Sequence, residues 1–285
     1  MLDGVMLLWF LLTTLSLLFV AVDIRTTPES PVLKWGFILL TAYTGPLGAF
    51  LYVLGCREPL PGTHERYVAV RWRQVLGSTM HCVAGDGVGI LAGAVIASLF
   101  HSSKVADVAL EYALGFGFGW SIFQALFMRG MASGSYRRSL TSTFFPELLS
   151  MNCLMAGMVP MMTLAMKYVP VGRDPASPAF WFIMSMSLLV GFITAYPMNW
   201  WVVSHHLKHG MMTVRSPKEP ANGENHKEMS EHDMSGEHTG GGPQKSQSHM
   251  TGDMKPVTSS VLAGMTILSC VAFGLGLVLA VVFSD

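Results

Sequence analysis

Charge is what this chain has least of. Asp, Glu, Lys and Arg make up 13% of 285 residues, and the formal net charge is zero, where soluble domains carry roughly 25% charged residues. That balance gives no sign of a nucleic-acid partner. Cysteine is scarce too. Cys56, Cys82, Cys153 and Cys270 show no CxxC or zinc-finger spacing, and three of them lie in or beside apolar runs, which argues against a disulfide framework. No Walker-type glycine-rich phosphate loop and no phosphorylatable Asp-Lys-Thr-Gly segment is present, so any transport is passive or ion-coupled rather than nucleotide-driven. No serine nucleophile motif is present either, and the chain does not read as an enzyme. Asp3 and no Lys or Arg precedes the first apolar run, where a secretory signal has a basic start.

Long apolar runs are abundant. Hydrophobic residues reach 51%, and a bilayer crossing needs about 20 of them in a row. Seven runs qualify: Gly4–Val22, Trp35–Leu54, Met80–Phe100, Val105–Met128, Glu147–Met166, Ala179–Val203 and Val261–Phe283. The fold class expected is all-α, a polytopic bundle of about seven transmembrane helices in a lipid bilayer. It divides into a first helix and connection over 1–34, a core of five helices over 35–215, a His/Met-rich disordered loop over 216–258 and a last helix over 259–285. With seven crossings, the N-terminus and the second, fourth and sixth connections share a side that carries thirteen Lys and Arg against five opposite. The positive-inside rule makes that side cytoplasmic. The first helix taken alone, between Asp3 and Arg25, points the other way.

Ionisable residues at membrane depth are costly and mark function by default. His81, Cys82, Asp86 and Glu147 are expected to converge, with Asn199 and the mouth histidines His205, His206 and His209, on the end where the long loop is tethered. Cys82 and Asp86, at i and i+4, share a helix face. Glu147 follows Pro146 and reads as a first-turn pair at a helix start. Glu111 falls near the opposite end. Met151, Met155, Met158 and Met162 occupy one helical face, readable as adaptable packing or as a soft path for Cu(I). Gly85, Gly89, Gly93, Gly115 and Gly119 have the spacing of helix-contact glycines, and Pro197 interrupts the sixth run.

Seven of the ten histidines lie between His205 and His249. His226, Met229, His232, Met234, His238, His249, Met250 and Met254 alternate with Glu224, Glu228, Glu231, Asp233, Glu237 and Asp253. Imidazole suits copper, zinc and nickel, and thioether adds preference for Cu(I). The spacing is not that of a structural zinc site, and the composition cannot bury enough apolar surface to order itself. The pattern points to a membrane protein that binds or transports a transition metal, with a copper ion foremost and the loop as collector. Two alternatives stand beside it. One is a haem-binding electron-transfer protein using His81 with His205 or His206. The other is an accessory factor that partners a copper enzyme, or acts as a homo-oligomer.

Tyr43-Thr44-Gly45-Pro46, Cys56-Arg57-Glu58-Pro59, His81-Cys82-Val83-Ala84-Gly85-Asp86, Phe123-Gln124-Ala125-Leu126-Phe127-Met128, Tyr196-Pro197-Met198-Asn199-Trp200-Trp201 and Leu207-Lys208-His209-Gly210-Met211 resemble a bacterial multi-pass membrane family known only as a domain of unknown function. The resemblance covers about residues 35 to 215. It implies a polytopic protein of the bacterial inner (cytoplasmic) membrane and a loose association with copper, but no established activity. The loop after Met211 and the last apolar run lie outside it.

Overall fold

Serine and proline set the helix starts. Ser30, Ser103, Ser135 and Ser177 each accept a backbone N–H from the first turn of the helix that follows, and Pro31 and Pro178 take the first helical position, where no N–H is needed. The computed structural model describes residues 2–60, 62–100, 103–125, 135–208 and 257–284, and regular structure among them is helical throughout. The order is α1 (Leu2–Asp23), α2 (Pro31–Thr44), α3 (Pro46–Gly55), a short α4 (His64–Val68), α5 (Arg71–Leu99), α6 (Lys104–Phe118), a π-helical continuation Gly119–Gln124, α7 (Tyr136–Tyr168), a 3-10 turn Pro170–Arg173, α8 (Pro178–Ser204) and α9 (Ser259–Ser284). Among the described residues, five helices are long and apolar enough to cross a membrane: α1, α5, α7, α8 and α9.

The apolar run Trp35–Leu54 is not one continuous helix, contrary to the expectation of a single crossing. The ring centroids of Phe37 and Tyr52 lie 5.4 Å apart, where fifteen residues of unbroken helix would separate them by about 22 Å. The chain reverses at Gly45, whose φ of +61° suits glycine, and Pro46 starts α3 without a backbone donor. The two helices then close on each other: a Cβ on Gly48 would lie 2.6 Å from the Thr41 Cα. Tyr52 fixes the return by donating its hydroxyl hydrogen to Asp23 at 2.8 Å, beside Thr27 at 2.8 Å. Arg57 pairs with the same Asp23 at 3.0 Å. Helix α3 thus ends where α1 ends, and α2–α3 is a hairpin entering and leaving at one end of the bundle. Counting apolar residues cannot register a reversal whose two arms are both apolar.

This hairpin corrects the expected placement of the N-terminus. Trp9 packs on Phe182 near the start of α8, while Tyr196 near the end of α8 bonds to Trp72 at the start of α5. The N-terminal end of α1 therefore lies opposite the end where α8 finishes, not beside it.

Two helix starts also differ from expectation. Helix α5 begins at Arg71 and α7 at Tyr136, so their first turns are polar and hydropathy alone passes over them. Pro146 and Glu147 consequently lie about three turns inside α7 rather than in its first turn. Helix α5 is the centre of the bundle. Its glycine face lies against α6 closely enough that a Cβ on Gly89 would reach 2.7 Å from the Gly115 Cα, and one on Gly93 2.8 Å from the Glu111 Cα. Helix α9 lies on α7 through Gly276 against the Ala156 backbone and through a 3.0 Å bond from Asn152 to Ser269. Helix α1 buries only Val20 and turns Leu7, Leu15 and Leu18 outward, as lipid-facing apolar residues do.

Candidate functional site

Three helices and one chain turn meet around Cys82. On α5, Cys82 is fully buried eleven residues from the helix start, which is about 16 Å of rise. Glu147 on α7 is likewise fully buried and likewise eleven residues in. The Cys82 thiol donates to Glu147 Oε2 at 3.2 Å, and Asn199 Oδ1 on α8 lies 3.8 Å from the sulfur. Asn199 is itself held by donating to Ser150 Oγ at 2.8 Å and to the Ala195 carbonyl at 3.1 Å. The π-helical turn after α6 brings Gln124 to the same sulfur, donating at 3.3 Å. Such wide turns are rare and recur at functional sites.

The fifth member is Lys208, which the sequence reading passed over. Its ammonium donates to the Cys82 sulfur at 2.7 Å and lies 3.6 Å from Glu147 Oε2, with 4% of the residue exposed. The end of α8 explains how a residue beyond the helix reaches inward. His206 adopts a left-handed conformation with φ +57°. Its N–H bonds to the Val203 carbonyl and the Leu207 N–H bonds to the Val202 carbonyl, the two bonds of a Schellman stop. Leu207 packs with Val202, completing the motif and pointing the next residue back into the bundle. Burial works against the charge of Lys208, but the Cys82 sulfur and the Glu147 and Asp86 carboxyls outweigh it and hold the ammonium above the ordinary lysine value.

Asp86 lies one turn beyond Cys82, fully buried near the Glu147 carboxyl, with no hydrogen-bond partner on either of its oxygens. Gly119 makes room for it: a Cβ there would overlap Asp86 Oδ1 and lie 3.1 Å from Glu147 Oε1.

Of the residues expected at the mouth, Cys82, Asp86, Glu147 and Asn199 come together, inside the bundle rather than at its rim. His81 is adjacent and fully buried, with its ring edge-on to Phe123 at 5.5 Å. His205 is exposed, donates Nδ1–H to the Trp201 carbonyl at 2.9 Å and lies over the Trp201 ring. His206 serves the turn. His209 and the loop ligands His226, Met229, His232, Met234, His238, His249, Met250 and Met254 lie outside the described residues. Among the described residues no group of three or more His, Cys, Asp and Glu side chains has metal-ligating geometry; the Lys208 ammonium lies against both the thiol and the carboxylate.

Below Glu147 the same face of α7 continues through Met151, Met155, Met158 and Met162, each at most 8% exposed. At the far end Met162 and Met166 line a cavity of ≈ 980 Å³ together with Asp107 and Glu111. Glu111 is 3% exposed, and its Oε2 has no hydrogen-bond partner.

Every polar member of the cluster lies between Arg71 and Lys208, and so does the methionine face. Residues 71–208 match a domain of unknown function, DUF4396. The DUF4396 match begins at the first residue of α5 and ends at Lys208, so the α2–α3 hairpin, the His/Met segment and α9 fall outside it. No curated protein and no solved structure matches the chain.

Proposed function

We propose that this protein is a membrane permease for a soft metal ion, Cu(I) foremost, which enters at the Cys82–Glu147 site and moves along the methionine face of α7. The observation that carries this reading is the continuity of that face. Glu147, Met151, Met155, Met158 and Met162 run at helical spacing from the thiol–carboxylate cluster to the opposite cavity, all buried, over about 22 Å of helix rise. Thiolate and thioether are the ligands that select Cu(I). The cavity at the far end offers the Glu111 carboxylate to an ion leaving or entering there.

The residues fit haem less well. His81 is buried against Phe123, while His205 is exposed and turned to Trp201, so the axial pair that a membrane haem needs has no facing partners among them.

In a bilayer the chain makes six crossings on this reading, with α6 and its π-helical continuation as the sixth and α2–α3 re-entering from one side. Of the twelve described Lys and Arg, nine lie at the end where α8 finishes; Lys104, Lys167 and Arg173 lie at the other. The positive-inside rule then puts the His/Met segment in the cytoplasm and the N-terminus outside, in a bacterial inner membrane. The vote of the first helix no longer conflicts, because Arg25 joins the positive end.

Ag(I) or Cu(I) flux into proteoliposomes tests the proposal. Met155→Leu and Met158→Leu conserve volume and should fold normally while lowering flux about tenfold each, the scale of one lost soft ligand. Wild-type flux no greater than that of protein-free vesicles sinks the permease.

A further inference from the structure

We infer that Lys208 is a tethered stand-in for the transported ion: its ammonium holds the cation position between Cys82 and Glu147, and a soft monovalent cation displaces it. This rests on the permease reading and narrows its substrate to singly charged soft ions such as Cu(I) and Ag(I).

Three features of the site support the exchange. First, the donors around Nζ are those a soft cation uses. Cys82 Sγ lies at 2.7 Å and Glu147 Oε2 at 3.6 Å, and Asn199 Oδ1 stands 3.8 Å from the sulfur. They come from α5, α7 and α8, so no single helix has to deform to bind. Second, the site holds a polar atom that the lysine leaves unused. Gln124 is fully buried, its nitrogen is on Cys82, and its Oε1 has no hydrogen-bond partner. A cation that accepts several ligands can use that oxygen. An ammonium already bonded to Cys82 does not reach it.

Third, a monovalent ion replaces the ammonium charge for charge. The ion takes the place of one ammonium. The Cys82 thiol proton moves to Glu147, 3.2 Å away, leaving a thiolate for the metal. One positive charge enters as one leaves, and no proton is lost. A divalent ion would have to expel the thiol proton from the site as well, since uncompensated buried charge is costly.

The test uses the full chain in detergent and an amine-acylating reagent, with modification at Lys208 read by peptide mass spectrometry against Lys34 and Lys104. Without metal, Lys208 should be protected. Saturating Ag(I) should raise its modification about tenfold or more and leave the two reference lysines unchanged, whereas Zn(II) should not expose it. Cys82→Ser should remove the Ag(I) effect although the His/Met segment still binds silver; the wild-type comparison with and without Ag(I) depends on no variant. A Lys208 that stays protected at saturating Ag(I), or that Zn(II) exposes equally, overturns the inference. The two proposals separate cleanly. Silver flux with Lys208 protected throughout leaves the permease and removes the stand-in. Exposure of Lys208 by Ag(I) without flux does the reverse.

Discussion

The Lys208 ammonium and the Cys82 sulfur are 2.7 Å apart although 126 residues separate them in the chain. Cys82 belongs to the middle of a membrane-length helix, and Lys208 to the chain just past the end of another. Their contact makes a closed polar centre out of what would otherwise be a thiol and two carboxyls without a cation. It also makes the centre dependent on one side chain.

Lys208→Met should therefore be severely destabilising. The substitution leaves Glu147 and Asp86 fully buried with their cation gone, and breaking a buried pair from one side costs about 3–5 kcal/mol. Adding Glu147→Gln should recover most of that loss, because the uncompensated charge is then removed as well. Unfolding in mixed micelles for the single and double variants measures both. A Lys208→Met protein as stable as wild type would show that the pair contributes little to folding.

His206 is expected to be replaceable by glycine and not by valine. Its φ of +57° costs most residues roughly 1 kcal/mol or more, and a β-branched residue more still. His206→Gly should keep or slightly raise stability, and His206→Val should lose about 1–2 kcal/mol and with it the protection of Lys208. If instead glycine abolishes Ag(I) flux while Lys208 stays protected, the imidazole is a ligand and not merely a turn residue.

Asp86→Asn should insert and fold while losing transport. The amide has the shape and volume of the carboxyl, so the packing of Asp86 against Gly119 survives. What is lost is the titratable pair. Flux in vesicles beside thermal stability in detergent distinguishes the two effects. Loss of folded protein in Asp86→Asn with recovery in Asp86→Ala would make the residue structural.

The helix faces were legible in the sequence, but the centre they surround was not. Gly85, Gly89 and Gly93 have the spacing of a contact face, and they do lie against α6 and its π-helical continuation. Cys82, Asp86, Glu147 and Asn199 stood out because polar groups inside apolar runs are costly. Lys208 did not stand out, because a lysine beyond an apolar run looks solvated; only the backbone turn at His206 sends it inward, and histidine at such a turn lacks the signal that glycine gives. The polar first turns of α5 and α7 hid the true helix starts for the same reason. The reversal at Gly45-Pro46 was visible as a motif, but its consequence depends on Tyr52 reaching Asp23, a contact across 29 residues that no local pattern encodes.

Gly89 and Gly117 give a paired test of the α5–α6 contact. A Cβ on Gly89 would run into the Leu114 carbonyl, whereas one on Gly117 meets nothing within 4 Å. Gly89→Ala should lose about 1–3 kcal/mol, as overpacking does, and Gly117→Ala should gain up to about 1 kcal/mol from helix propensity. Equal effects at the two positions would contradict the close approach.

The hairpin makes a prediction about the whole molecule. If Trp35–Leu54 crossed the membrane, an N-terminal tag and a tag inserted after Gly240 would lie on the same face, since seven crossings would leave an even number between them. With α2 and α3 entering and leaving together, α1, α5, α6, α7 and α8 remain between the two tags, an odd number, and the tags lie on opposite faces. The basic end identifies the inner face, so protease or impermeant-label access in intact cells should reach the N-terminal tag and miss the one after Gly240. Tags found on one face would mean that the chain does not reverse at Gly45. The contact between Phe37 and Tyr52 and the bond from Tyr52 to Asp23 could not then survive in the membrane. A Tyr52→Phe variant adds a graded check. It keeps the ring against Phe37 but removes the hydroxyl from Asp23 and Thr27, and should cost about 1–3 kcal/mol, the range for a buried bond to a charged group, without moving either tag.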